Sequence, residues 1–198
     1  MLEMNEQGLY NFHETVFKPI YADLVAVCAN KPEQIAFELE AALSHIAVAK
    51  VNSDDCNIYQ TNIHKAYGHL QRAALDAAKI MWLEYKRQAK EIVFDEDIRT
   101  LACNASEHEL LKQYKNAEKL AKKARVNELA NVGQRPSESI DLYYEAAKAF
   151  SKILGLIDPS KVSKLSRFKN KIKRKEIIIS FLVGLISSGI ISSIFVLF

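Results

Sequence analysis

Apolar residues recur at three- and four-residue steps along most of this chain, and no stretch alternates apolar and polar residues as a half-buried strand would. Between Pro32 and Val51, the apolar Ile35, Leu39, Ala42, Leu43 and Ile46 follow helical spacing, with Asn30 placed to cap and Pro32 in the first turn. A polar break at 52–57 separates them from a long periodic run, Ile58 to about Val93. Ser106 and Glu109 form a capping box that opens another helix, to about Ala130. Gly133 and Pro136 interrupt it. A further helix carries Ile140, Tyr143, Tyr144, Ala147, Phe150 and Leu154 and stops at Gly155. Before Pro32, Tyr10 to Cys28 reads as one helix kinked at Pro19 or as two short ones. The pattern predicts an all-α body of about five helices, with no internal repeat.

The pattern changes after residue 157. Asp158 and Pro159 restart a helix in which Val162, Leu165, Phe168 and Ile172 alternate with basic residues. Eight cations, from Lys161 to Lys175, appear before the first acid, Glu176. From Ile177 to Phe198, 22 residues carry neither charge nor proline. As a helix they reach roughly 33 Å, enough to cross a hydrocarbon core of about 30 Å. Three units are expected: a helical bundle (1–157), a basic juxtamembrane helix (158–176) and a transmembrane anchor (177–198). Cationic flanks stay on the cytoplasmic side, so the chain reads as a single-pass, tail-anchored protein with its body in the cytosol. Lys169, Lys171, Lys173, Arg174 and Lys175 would form a collar among anionic lipid headgroups; the alternative is a solvated run that only sets topology. Glu3 and Glu6 stand where a signal peptide would carry basic residues.

The predicted span is not uniform. At about 100° per residue, Ile179, Val183, Ile186, Ile190, Ile194 and Leu197 share an arc of about 80°. Ser180, Gly184, Ser187, Ser188 and Ser192 gather on another of about 140°. Small residues let helices approach closely in lipid, so this face is expected to make a homo-oligomer. A Ser-lined face also suits a pore, although Phe181 and Phe195 intrude on it.

Charge narrows the partners. The chain has 27 basic and 24 acidic residues, but residues 1–158 hold 19 and 23, a net of −4. An acidic body is a poor general binder of nucleic acid, whose affinity rests on phosphate neutralisation. Cys28, Cys56 and Cys103 are scattered and form no CxxC pair, which argues against a zinc site or a disulfide framework. No glycine-rich phosphate loop, nucleophile motif or ligand cluster is present. Catalytic residues, metal ligands and cofactors are therefore expected to be none.

The most unusual soluble feature is a polar stripe: His69, Arg72, Asp76 and Lys79 share one helix face. His45 and Glu38 on the preceding antiparallel helix could approach it. The stripe reads as an ion-pair ladder, Arg72 to Asp76 and Asp76 to Lys79, that orients helix packing. The competing reading is acid–base or phosphoester chemistry.

Pro32–Val51 paired with the long helix carrying Gly68-His69-Leu70-Gln71-Arg72-Ala73-Ala74-Leu75-Asp76-Ala77-Ala78-Lys79 resembles the HEPN-like helical domains of prokaryotic immunity proteins. Some of those are fused to a transmembrane helix, including membrane accessory proteins of CRISPR systems. The resemblance implies a bacterial inner-membrane protein of antiviral defence, with a protein or an RNA-guided complex as partner. HEPN ribonucleases use an Arg with a His about a turn and a half further on. Here Arg99 and His108 are too far apart, and Asn62 stands where an Arg would precede His69. The domain would then be a scaffold or sensor without nuclease activity. Three readings follow: a membrane effector whose anchors assemble; a non-lytic adaptor holding an interaction module at the membrane; and a tethered ribonuclease working through His69, Arg72 and Asp76.

Overall fold

A computed structural model describes residues 5–131 and 136–196; for 178 and 181–196 only the backbone course is described. The Asn5 side chain accepts a hydrogen bond from the Gly8 N–H and opens α1 (Glu6–Phe12). Right-handed helical dihedrals continue through a π-helical turn (His13–Phe17) into α2 (Lys18–Cys28). This is one helix, and its irregularity lies before Pro19 in the form of a widened turn. Pro19 has no N–H to give, and the Lys18 N–H bonds to the His13 carbonyl, five residues back rather than four. Widening the turn accommodates a ring that would otherwise clash with it.

Ala29, with φ of 54°, ends α2 in the left-handed region. Pro32, rather than Asn30, occupies the cap position of α3 (Glu33–Val51). Asp55 caps α4 (Cys56–Phe94) by accepting from the N–H groups of Asn57 and Ile58. Asp95 likewise caps a short α5 (Glu96–Leu101) that the periodicity does not predict. Ser106 accepts from the Glu109 N–H at the start of α6 (Glu107–Ala130), half of the expected box. α7 (Pro136–Leu154) and α8 (Pro159–Val196) complete the chain. Among the described residues there is no strand, only an isolated backbone bridge between Cys103 and Ile157. The protein is all-α.

α4 is the axis of the body: α2, α3 and α7 pack on it, and α6 packs on α7. Ala66, Ala73, Ala74, Ala77 and Ala78 are fully buried along it, so neighbouring backbones can come close. Two apolar clusters flank this seam. One gathers Phe12, Leu24, Ile35, Tyr67, Met81 and Tyr143; the other gathers Val93, Leu110, Tyr114, Phe150 and Ile153. Trp82 and Tyr85 touch both and join them into one core.

α8 is attached by its root. The Asn104 N–H donates to Leu156 O at 2.8 Å and the Asp158 N–H to Ala102 O at 2.9 Å. Asp158 then caps α8, accepting from the N–H groups of Ser160 and Lys161. The predicted collar and residues 177–196 of the predicted anchor lie on this one helix. Among the described residues, no helix is long and apolar enough to cross a membrane. The predicted anchor, 177–198, falls for the most part outside the described side chains: of its small face only Ser180, which is exposed, lies inside them, while Gly184, Ser187, Ser188 and Ser192 lie outside.

Candidate functional site

Asn62, His69 and Arg72 of α4 face α3, and the structure brings five side chains together there. Antiparallel packing of α3 on α4 sets Glu38 opposite His69 and Arg72, and His45 opposite Asn62 and His69. Glu38 Oε2 lies 2.8 Å from His69 Nδ1 and accepts from Arg72 Nε at 3.1 Å. Arg72 Nη2 reaches the same His69 nitrogen at 2.7 Å. The His45 ring stacks on His69 with centroids 5.3 Å apart. Asn62 donates its amide N–H to Ile58 O, which turns Oδ1 toward His45, so His45 donates from Nδ1 at 2.9 Å.

His69 Nδ1 is contested. A carboxylate oxygen calls for a donor there, and a guanidinium calls for an acceptor. Each of two patterns meets one of these demands: a neutral ring protonated on Nε2 accepts from Arg72, and a ring protonated on Nδ1 donates to Glu38. Either way Nδ1 is occupied by protein groups. That arrangement clasps α3 to α4 through Nδ1, and when Nδ1 donates to Glu38 the lone pair of the ring sits on Nε2.

The expected ladder is only partly made. Arg72 does not pair with Asp76; it turns across the interface to Glu38, whose side chain is the better buried carboxylate. Asp76 accepts a long bond from Gln34 at 3.4 Å and has Lys79 at 3.8 Å. Burial raises its carboxyl above the ordinary Asp range, and Lys79 and Gln34 only partly offset this. Lys79 gives its close contact elsewhere, 2.7 Å to Glu128 on α6. Tyr143 on α7 donates to Glu128 at 2.7 Å, and Arg125 pairs with it at 3.0 Å. Burial pushes Glu128 up, but its hydrogen bonds from Lys79 and Tyr143 and the Lys79 charge outweigh that and hold it below the usual range. Burial, then the bond to Glu128, pushes the Tyr143 hydroxyl up to about 12. His69, Arg72, Asp76 and Lys79 therefore belong to two clasps, one tying α4 to α3 and one tying α4 to α6 and α7.

Glu128 was not among the predicted residues. A signal for it exists: a carboxylate in the last turn of α6 sits against the negative end of the helix dipole, so it calls for cationic partners. Among the described residues, no group of three or more His, Cys, Asp or Glu is placed to hold a metal ion.

Two other surfaces stand out. A groove of about 270 Å³ opens between α1, α3 and α4, walled by Leu9, Leu39, Ile46 and Leu70 with Tyr10 and His13. Leu43 on its wall is 65% exposed, and Phe37, Val48 and Val51 are exposed on the same helix. On α8, Lys169 is drawn to the α4–α5 corner, 2.8 Å from Asp97 and 3.3 Å from Asp95. Lys171, Lys173, Arg174 and Lys175 are exposed. Lys169, one of the predicted collar residues, thus pairs with two carboxylates of the body.

No protein-family model, curated protein or solved structure matches this chain.

Proposed function

We propose that this protein is a membrane effector: residues 177–198 span the bilayer as an anchor, the helical body lies at the cytosolic face and senses a partner or signal, and the anchors assemble through Ser180, Gly184, Ser187, Ser188 and Ser192. The observation that carries the reading is that eight cations are followed by a 22-residue uncharged run, and that the cations and residues 177–196 of the run lie along a single helix, α8. A soluble body of this size has no means of enclosing such a run on all sides, whereas a bilayer does. The likeness to HEPN-like domains adds a role in bacterial antiviral defence, with a protein or an RNA-guided complex as the trigger and a pore as the output. In this reading His69, Arg72 and Glu38 tie α3 to α4, and the body transmits a conformational signal rather than cleaving RNA.

Fractionation of cells expressing the full chain tests the anchor. The protein should stay with the membrane through alkaline carbonate extraction, and deletion of 177–198 should release it. Gly184→Leu and Ser188→Leu keep the segment hydrophobic but force neighbouring helices apart, so they should lower crosslinked mass, while Ile186→Leu and Ile190→Leu leave it unchanged. Recovery of the full chain in the soluble fraction would sink the reading.

The exposed apolar residues of α3 beside the groove favour a second reading, a non-lytic adaptor that presents this face to a partner. The two separate on membrane potential. Cells expressing a triggered effector depolarise, and cells expressing an adaptor do not.

A further inference from the structure

The basic residues of α8 divide between two sides of the helix. At about 100° per residue, Arg167, Asn170, Lys171 and Arg174 fall within an arc of about 100°, and Lys169 lies roughly opposite. The four line one open hollow of about 290 Å³. Lys169 is bound to Asp95 and Asp97 on the body. Among the described residues, Arg167, Lys171 and Arg174 meet no acidic partner. Lys169 is thus neutralised by the protein, and the opposite side of the helix is left cationic.

We infer that Arg167, Lys171 and Arg174 form a comb that binds the phosphates of anionic lipid headgroups, and that Lys169, held by Asp95 and Asp97, keeps that comb turned away from the body. The inference rests on the membrane reading above. Arg174 stands three residues before Ile177 and Arg167 ten, which places them roughly 5–15 Å outside the uncharged segment. That is the headgroup layer and the water just beyond it. Guanidinium groups bind phosphate oxygens through two parallel N–H bonds, and the Asn170 amide adds a neutral donor between them. A nucleic acid offers the same phosphates. The net charge of −4 on residues 1–158 repels a polyanion that must lie along the body, whereas a bilayer meets α8 where the uncharged run begins.

The experiment compares two variants that remove the same charge. One is Arg167→Gln/Arg174→Gln; the other is Lys161→Gln/Lys173→Gln, whose residues lie outside the comb's arc. Every site is exposed and glutamine is a good helix former, so the fold is retained. The full-length protein is extracted in mild detergent, given equal phosphatidylglycerol and phosphatidylcholine, and the lipids it retains are counted by native mass spectrometry. Wild type should prefer phosphatidylglycerol. Each basic contact near an anionic surface is worth about fivefold, so the comb variant should lose more than tenfold of that preference. The second variant should keep most of it. Equal losses would mean that only total charge matters, and no preference in wild type would mean that no headgroup site exists; either overturns the comb. An RNA oligonucleotide that binds wild type, spares phosphatidylglycerol and is lost in the comb variant would assign the surface to nucleic acid and overturn it as well. Carbonate extraction of the same proteins separates this failure from that of the membrane reading, because a chain washed out of the membrane fails before lipids are counted.

Discussion

α4 and α8 are nearly equal in length, 39 and 38 residues, and their sequences answer to opposite surroundings. α4 is packed by α2, α3 and α7 and carries eleven buried residues, with alanine wherever a neighbouring backbone comes close. None of the described residues of α8 is buried, although Val162 and Leu165 are half-buried, and its polar ties to the body are the Ala102–Asp158 and Asn104–Leu156 bonds and Lys169. Side-chain volume decides what α4 tolerates. On α8, charge and its distribution around the helix decide instead. Substitutions that respect one rule and break the other should therefore separate the two helices.

The largest effect is expected from truncating an aromatic ring in the core. Phe150 is fully buried on α7, its ring 5.5 Å from that of Tyr114. Phe150→Ala should cost about 3–5 kcal/mol through the cavity it leaves, read by chemical denaturation. Phe168→Ala on α8 removes a ring that is 62% exposed and should change stability by less than about 0.5 kcal/mol. Comparable losses from both would mean that α8 packs on the body after all. Next is overpacking of the seam. Ala77 has no exposed surface, and Ala77→Leu should cost about 1–3 kcal/mol, whereas Ser163→Leu, on the exposed surface of α8, should be silent.

Much of the seam is legible in the sequence, because period and capping act locally. The Ser106–Glu109 pair marks a helix start without reference to the rest of the fold. The π turn before Pro19 was not visible, since a proline announces a disturbed turn but not how the backbone absorbs it. The candidate site was half legible. Spacing alone puts His69, Arg72, Asp76 and Lys79 on one face, but partner choice is tertiary. Arg72 bonds Glu38, 34 residues away, and Lys79 bonds Glu128, 49 residues away. Those bonds outcompete the local ladder because they satisfy carboxylates that burial would otherwise leave short of donors. The Arg72 side chain is itself 53% exposed, so its loss should cost less than stranding a fully buried charge.

Acid–base behaviour sharpens the contrast at a smaller scale. Glu128 is held below the usual carboxylate range, so its contribution is complete above that range and fades as the pH falls through its folded value. Asp76 is raised by burial, so its effect has the opposite sign: it favours the fold at low pH and is lost as the pH rises through its folded value. At neutral pH, Glu128→Gln should cost about 1–2 kcal/mol by weakening the bonds from Lys79 and Tyr143. Asp76→Asn should leave Tm unchanged or raise it. Melting both variants from pH 3 to pH 7 checks the signs. A Glu128→Gln protein whose Tm falls with acid as steeply as wild type would place the acid-sensitive group elsewhere.

The smallest effect should fall on α8, and it should not be an effect on stability. Lys169 bridges the half-buried Asp95 and the exposed Asp97; Asp95 also caps α5, and Asp97 does not. Asp97→Asn therefore loosens the bridge without uncapping a helix, and its Tm should match wild type. What changes is the hold on α8. With the closer of the two contacts gone, the helix keeps its backbone bonds at Asp158 and Asn104 and swings more widely about them. Spin labels at the exposed Cys56 and at an Asn170→Cys site would report this as a broader distance distribution in Asp97→Asn than in wild type. Raising salt to about 1 M should broaden wild type in the same way, because the screening length there is only about 3 Å. Asp97→Asn itself should respond less to salt. A distribution equally narrow in both proteins at both salt concentrations would mean that the root alone fixes α8, and that its basic face points where it does without help from the body.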